Sequence, residues 1–248
     1  MLSFGVTVLP DPPYTRWLEL IQLAERHGFE FAWTYDSHVL WQESIPMLAV
    51  AARETSKIKL GHFVTNPATR DPTVLASSYA TLHDISDGRM VMGVGRGDSA
   101  VRVIGRQPMK VAEFERSCAM IRDFMNGRTV SWNDTELQLK WVRPELPEIP
   151  MWVAGYGPKA LTDYVQARKF YDYNEHSRVG AKHGEFVTDE ICDRFCVLGT
   201  TDQIKVKLKE LEGVGVDQFN IYLMTHGQEE TLQAYGDEII PDFAAVKA

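Results

Sequence analysis

Three cysteines in 248 residues, Cys118, Cys192 and Cys196, are too few for a disulfide framework and too unevenly placed for a four-ligand zinc site. No metal is expected. Cys192 and Cys196 lie one helical turn apart and read as thiols on a helix face. Lys and Arg form no stripe and the formal net charge is −8, so neither nucleic acid nor an anionic membrane is expected as a partner. No apolar run approaches the roughly 18 residues of a membrane span. Met1 to Pro10 lacks a basic stretch leading into a long apolar one, which makes a cytoplasmic location the expectation. A Gly/Ser linker is also missing. These absences leave one globular domain over residues 1–248, with a small molecule as the expected substrate.

What is present is alternation. Short apolar runs at Phe4–Leu9, Phe31–Tyr35, Ile58–Val64, Met90–Val94, Met151–Ala154 and Val216–Leu223 alternate with helical patterns. That rhythm belongs to repeated βαβ units and a parallel sheet. Helices are expected from Tyr14 to a stop at Gly28, over Ile45–Arg53, over Thr73–Ile85 and over Val111–Met125. Thr200 and Gln203 suit a capping box for a helix ended by Gly213, and a terminal helix starts near Gln228. Thr129–Leu139 reads as a hairpin turning at Asn133-Asp134. Between Ala160 and Val216 the rhythm fails, with at most a short strand near Phe195–Leu198. The polar aromatic segment Tyr171–Phe186 lies there, and its start, Tyr171–His176, reads as a surface insertion, with a lid or dimer contact as the other reading. The fold class is α/β, related to a TIM-type (β/α)8 barrel but incomplete, with about six parallel strands.

In such a fold the loops after the strands share one mouth, and chemistry concentrates there. After the second strand come Asp36, Ser37 and His38, then Trp41, offering a carboxylate, an imidazole and a flat wall. Asp36 serves equally well as a turn cap. After the third come Thr65-Asn66-Pro67 and Arg70-Asp71-Pro72, a stiff loop of hydrogen-bonding groups or a plain turn before a helix. The fourth is followed by Gly95-Arg96-Gly97-Asp98, whose glycines would let backbone approach a flat ligand. This is no dinucleotide fingerprint, because Asp98 stands where a third glycine is needed. After the fifth, Gly155-Tyr156-Gly157 leads into a helix start where a phosphate could bind.

Together these loops resemble the luciferase-like flavin and coenzyme F-420-dependent oxidoreductases. Thr65–Pro67 (TNP) and Gly95–Ala100 (GRGDSA) are most similar to the deazaflavin-dependent branch that includes methylenetetrahydromethanopterin reductase. The resemblance implies hydride transfer between coenzyme F-420, alternatively FMN, and a small organic substrate, carried out by a homodimer. It implies a cis peptide at Phe63-Val64, with Thr65 and Asn66 at the cofactor ring. Gly95 and Gly97 join Gly155, Tyr156 and Gly157 as cofactor holders. Asp36, Asp98 and His38 are the candidates for moving a proton. The family's sugar-phosphate dehydrogenases carry a glutamate where Arg96 stands, which argues against their substrate. Two further strand–helix units of the family would fall between Leu161 and Thr162. A barrel without them implies an alternative, a catalytically silent flavin-binding or structural relative.

Overall fold

A computed structural model describes residues 1–11, 13–155, 188–190, 192, 196–224 and 226–244. Six strands, β1 (Ser3–Val8), β2 (Phe31–Thr34), β3 (Lys59–Thr65), β4 (Met90–Val94), β7 (Met151–Val153) and β8 (Gln218–Leu223), form one sheet in the order β7-β4-β3-β2-β1-β8. Every neighbouring pair is parallel. Among the described residues the sheet is not closed, and β7 and β8 are its edges. The six expected strands are all there. The expected hairpin is β5 (Val130–Trp132) with β6 (Thr135–Leu137), turning on Asn133 and Asp134, both at positive φ.

The period of two in the strands divides the sheet's residues between two clusters. Phe4, Val6, Val8, Ala32, Leu60, Met90, Met92 and Val94 enter the main core. There they meet α1 (Tyr14–Arg26), α2 (Ser44–Glu54), α3 (Pro72–Ile85) and α5 (Val111–Met125). Each helix turns one stripe inward, as with Trp17, Leu20, Ile21 and Ala24 of α1. Phe31, Trp33 and Val91 form a second cluster with Phe63 and Trp152. The sites of the internal gap and of the Tyr171–Phe186 segment lie outside the described residues.

Several boundaries depart from the sequence reading. A short helix, α4 (Ser99–Arg102), follows β4, too brief to leave a periodic pattern. Residues 196–198 are irregular rather than strand, and Phe195 lies outside the described residues. The helix α6 (Thr201–Gly213) carries the expected capping box. The terminal helix α7 (Gln228–Ala234) passes into a π turn at Tyr235–Ile239 and a 3-10 turn at Ile240–Asp242. Pro241 removes an amide donor there, and Gly236 lies so close to His27 that an added Cβ would meet its main-chain oxygen at 2.8 Å.

Two charged side chains staple the far ends of the strands. Arg89 donates to the carbonyls of Ala52, Thr55, Ile58 and Ser86 and to the Thr55 hydroxyl, satisfying the last carbonyls of α2. Glu25 Oε1 accepts the amides of Ser56, Lys57 and Ile58 at 2.8, 2.6 and 3.0 Å. Burial alone would raise the Glu25 pKa, but the three amides and Arg89 hold it below its ordinary value. A depressed folded-state pKa stabilises at pH above the unfolded value and is lost as pH falls through the folded one. The wild type is therefore expected to exceed Glu25→Gln in stability by about 1–2 kcal/mol at neutral pH. That margin should shrink below about pH 4.3, the ordinary glutamate value. Urea melts across that range check it, and a margin that persists at the acid end would contradict the assignment.

Candidate active site

The C-terminal ends of β2, β3 and β4 converge because the strands are parallel and adjacent. There β3 departs from regular pairing. Its register with β4 shifts between His62 and Thr65, and the Phe63-Val64 peptide is cis, where the family resemblance implies it. Phe63 and Val64 are half-buried between buried neighbours, so the bulge reaches the mouth. The glycines of β4 and its loop make room for it. A Cβ on Gly93 would lie 2.3 Å from the His62 carbonyl oxygen, and one on Gly95 2.9 Å from Val64 Cγ2. Gly97, at φ 79°, faces Val101 and the Asn66 side chain in the same way. The space these glycines leave is taken up by protein, so any contact of Gly95 or Gly97 with a cofactor falls to their backbones.

A polar network is buried beside the bulge. Asp36 Oδ2 accepts from the Thr65 hydroxyl and from Arg70 Nη1, both at 2.5 Å, and Oδ1 accepts from Ser44 Oγ at 3.3 Å. Arg70 reaches on to Glu43 with Nη2. Ser44 Oγ lies 2.8 Å from His62 Nε2, and His62 Nδ1 lies 2.6 Å from the Tyr79 hydroxyl. Burial opposes the charge on Asp36, yet the Arg70 guanidinium and the Thr65 hydroxyl, joined by the His62 charge wherever that ring is protonated, outweigh it and keep its pKa lowered. Burial pushes His62 down to about 4 despite Asp36 nearby, and raises the Tyr79 phenol well above its usual value.

The structure brings together some of the sequence-predicted residues and separates others. Asp36 and Thr65 share a hydrogen bond. Asn66 Oδ1 accepts from the amides of Ala68 and Thr69 and from the Thr69 hydroxyl, shaping its own loop. Asp98 forms an ion pair with Arg102 at 2.6 Å, and its carbonyl starts α4. His38 is exposed and stands outside the buried network. Arg96 donates to the Met109 carbonyl at 2.6 Å, tying its loop to the start of α5. Gly155 is exposed, with no atom of the described residues within 4 Å of where its Cβ would be, while Tyr156 and Gly157 lie outside the described residues.

Sequence reasoning missed His62, Ser44, Arg70 and Tyr79 as site residues. It also missed most of an aromatic wall. Tyr35 stacks on Trp41 at 5.2 Å and on Tyr222 at 6.4 Å, and Phe63 meets Tyr222 at 6.5 Å. Alternation along β8 was the signal available for Tyr222. Among the described residues the buried Ser37 hydroxyl and Trp33 Nε1 have no hydrogen-bond partner. Aromatic faces, an unpaired buried hydroxyl and a bulge open to the mouth fit a flat heteroaromatic ring that carries polar groups. Residues 35–37, 63–66 and Tyr222 are those that would hold one.

A parallel α/β sheet with a bulged third strand and a carboxylate-bearing aromatic mouth places the chain among the α/β folds related to the (β/α)8 barrel. The chain belongs to the luciferase-like monooxygenase family, which it matches over residues 2–166. It is 48% identical over 99 residues to a 5,10-methylenetetrahydromethanopterin reductase of Methanopyrus kandleri, covering 40% of this chain and 28% of that protein. It is 31% identical over 166 residues to the reductase of Methanolobus tindarius, covering 64% of this chain and 50% of that one. The chain thus spans about half or less of these relatives' length. Its fold is similar to the solved coenzyme F-420-dependent tetrahydromethanopterin reductase of Methanopyrus kandleri. The TM-score is 0.79 at 23% identity, over 98% of this chain and 99% of that one.

Proposed function

We propose that this protein is an oxidoreductase that binds coenzyme F-420 at the β3 bulge and transfers a hydride between it and a small organic substrate. The observation that carries this reading is the register shift of β3 between His62 and Thr65, held at the mouth by the buried Asp36–Thr65 bond. The names of the relatives support it. Besides the reductases, an F-420-dependent glucose-6-phosphate dehydrogenase of Beutenbergia cavernae is 30% identical over 155 residues, covering 56% of this chain and 46% of that protein. FMN is the second reading, favoured by a similar fold, at TM-score 0.66 and 11% identity, in a Pseudomonas putida diketocamphane monooxygenase solved with FMN.

When bound, the deazaflavin supplies the hydride chemistry. The chain binds, orients and handles protons. Tyr35, Trp41, Phe63 and Tyr222 form an apolar wall, and Ser37, Thr65 and Asn66 offer hydrogen bonds. Asp98 and His38 reach solvent, whereas Asp36 is committed to three donors. Anaerobic titration with coenzyme F-420 and with FMN, read by ligand fluorescence and melting temperature, tests the reading. Saturable micromolar binding of one cofactor is expected, with a rise of about 5–10 °C at a hundredfold excess over Kd. Cooperative melting without binding of either would leave a silent member of the family.

The same reading includes a homodimer. A groove of about 530 Å³ runs along α2 and α3 past Ile45, Pro46, Ala49, Val74, Ser77 and Ser78. Residues 45–52 and 73–82 carry no Asp, Glu, Lys or Arg. A second copy is the partner whose matching face is equally free of charge, so a two-fold contact meets no like-charge repulsion. Sedimentation velocity is expected to show a dimer that Val74→Glu converts to monomer. A monomeric wild type would remove this part of the reading.

A further inference from the structure

We infer that Tyr79, His62 and Ser44 form a one-way hydrogen-bond relay that holds Asp36 as a permanently ionised anchor for the β3 bulge, making these four positioning residues. The inference rests on the reading of the site given above, and goes beyond it by assigning Asp36 a role other than proton donor.

The direction of the relay follows from counting protons. The His62 amide donates to the Tyr79 hydroxyl oxygen at 3.3 Å, so that oxygen is already an acceptor. Tyr79 is fully buried, and its own proton has one acceptor within reach among the described residues, His62 Nδ1 at 2.6 Å. A proton on Nδ1 would leave the buried phenol O–H with nowhere to donate. The imidazole proton therefore sits on Nε2 and is donated to Ser44 Oγ at 2.8 Å, which turns the serine proton toward Asp36 Oδ1. Thr65 and Arg70 donate to Oδ2. Among the described residues, each hydrogen-bond partner of the Asp36 carboxylate arrives as a donor. A protonated Asp36 would have to turn the Ser44 or Thr65 hydroxyl out of its donating orientation and would leave the donor-only Arg70 without its anionic partner.

The geometry also explains why the relay lies beside the cis bulge. His62 and Thr65 flank the register shift of β3. Each is held by its side chain, His62 to α3 and α2 through Tyr79 and Ser44, and Thr65 to Asp36 after β2. Both ends of the bulge are thus fixed to elements outside the sheet pairing that the bulge interrupts. The charged and titratable groups facing His62 are Asp36, Arg70, Glu43 and Tyr79.

Long-range proton–nitrogen NMR of the full chain with 15N-labelled histidine reads the relay directly. The His62 signals are identified by their shift in Ser44→Ala. The expected result is a single neutral ring, protonated on Nε2, with no titration between about pH 5 and 8, where an ordinary histidine changes charge. In Tyr79→Phe, Nδ1 loses its donor and a mixture of tautomers is expected. Affinity for coenzyme F-420 should fall about tenfold, the factor that one lost buried hydrogen bond represents. The shape of the pH–turnover profile should stay unchanged. A proton on Nδ1, a His62 titrating in that range, or a profile that loses a limb in Tyr79→Phe would overturn the inference. A chain that binds neither cofactor would remove the reading of the site, while the tautomer still decides the relay.

Discussion

Asp36→Asn is expected to lower stability by about 3 kcal/mol and to abolish measurable cofactor binding. The Asp36 side chain is 1% exposed and its partner Arg70 15% exposed. Removing one member of such a pair leaves the other charge poorly compensated, which costs about 3–5 kcal/mol where burial is complete. Glu43 still faces Arg70, so the lower end applies. The amide also replaces an acceptor oxygen with a donor against Thr65, Arg70 or Ser44, all of which donate to this site. Urea unfolding gives the stability and the fluorescence titration gives the binding. The double variant Asp36→Asn with Arg70→Met should recover part of the stability, because no charge is then left behind, but not the binding. A loss below about 1 kcal/mol in the single variant, the range of exposed ion pairs, would show that solvent screens the pair and that Asp36 anchors nothing.

Gly93→Ala should be at least as damaging. Its Cβ would lie 2.3 Å from the main-chain oxygen of His62, in the segment where β3 leaves register. A flexible side chain could move aside, but backbone flanked by paired strands cannot do so without breaking the ladder. Overpacking costs about 1–3 kcal/mol where side chains yield, so about 3 kcal/mol or more is expected here. The bulge should shift and cofactor affinity should fall with it. Gly155→Ala is the control: no atom of the described residues lies within 4 Å of its added Cβ and its φ is not positive, so it should change stability by less than about 0.5 kcal/mol. Equal effects from both variants in chemical denaturation would show that glycine is needed in β4 for some reason other than the bulge.

These results bear on how much of the site was legible beforehand. The loop residues Asp36, Thr65 and Asn66 stood out because polar groups just after parallel strands fall at the mouth of the sheet, although each also suits a turn. The Tyr79–His62–Ser44 chain did not stand out. A histidine within an apolar strand and a tyrosine on the buried face of a helix read as core, and a serine at a helix start reads as a cap. Arg70 was visible as part of a stiff loop, but its bond to Asp36, 34 positions earlier, had no local signature. The glycines at and after β4 have a second neighbour that local sequence does not show. They suggest approach by a ligand, and the structure adds that side chains there would meet the β3 main chain and Val64.

The sequence alone determined the six parallel strands, the helices between them, the outlying hairpin and the capping box of α6. These follow from periods of two and 3.6 residues and from turn chemistry, which act between near neighbours along the chain. Only the tertiary structure decided that Asp36 is enclosed by donors, that His38 stays outside the buried network and that Asp98 pairs with Arg102. It also decided that Tyr222 of β8 faces Tyr35 and Phe63 across the mouth. Those contacts depend on strand order and register, which bring together groups far apart in sequence, and on burial, which turns an ordinary polar side chain into one that must find a partner.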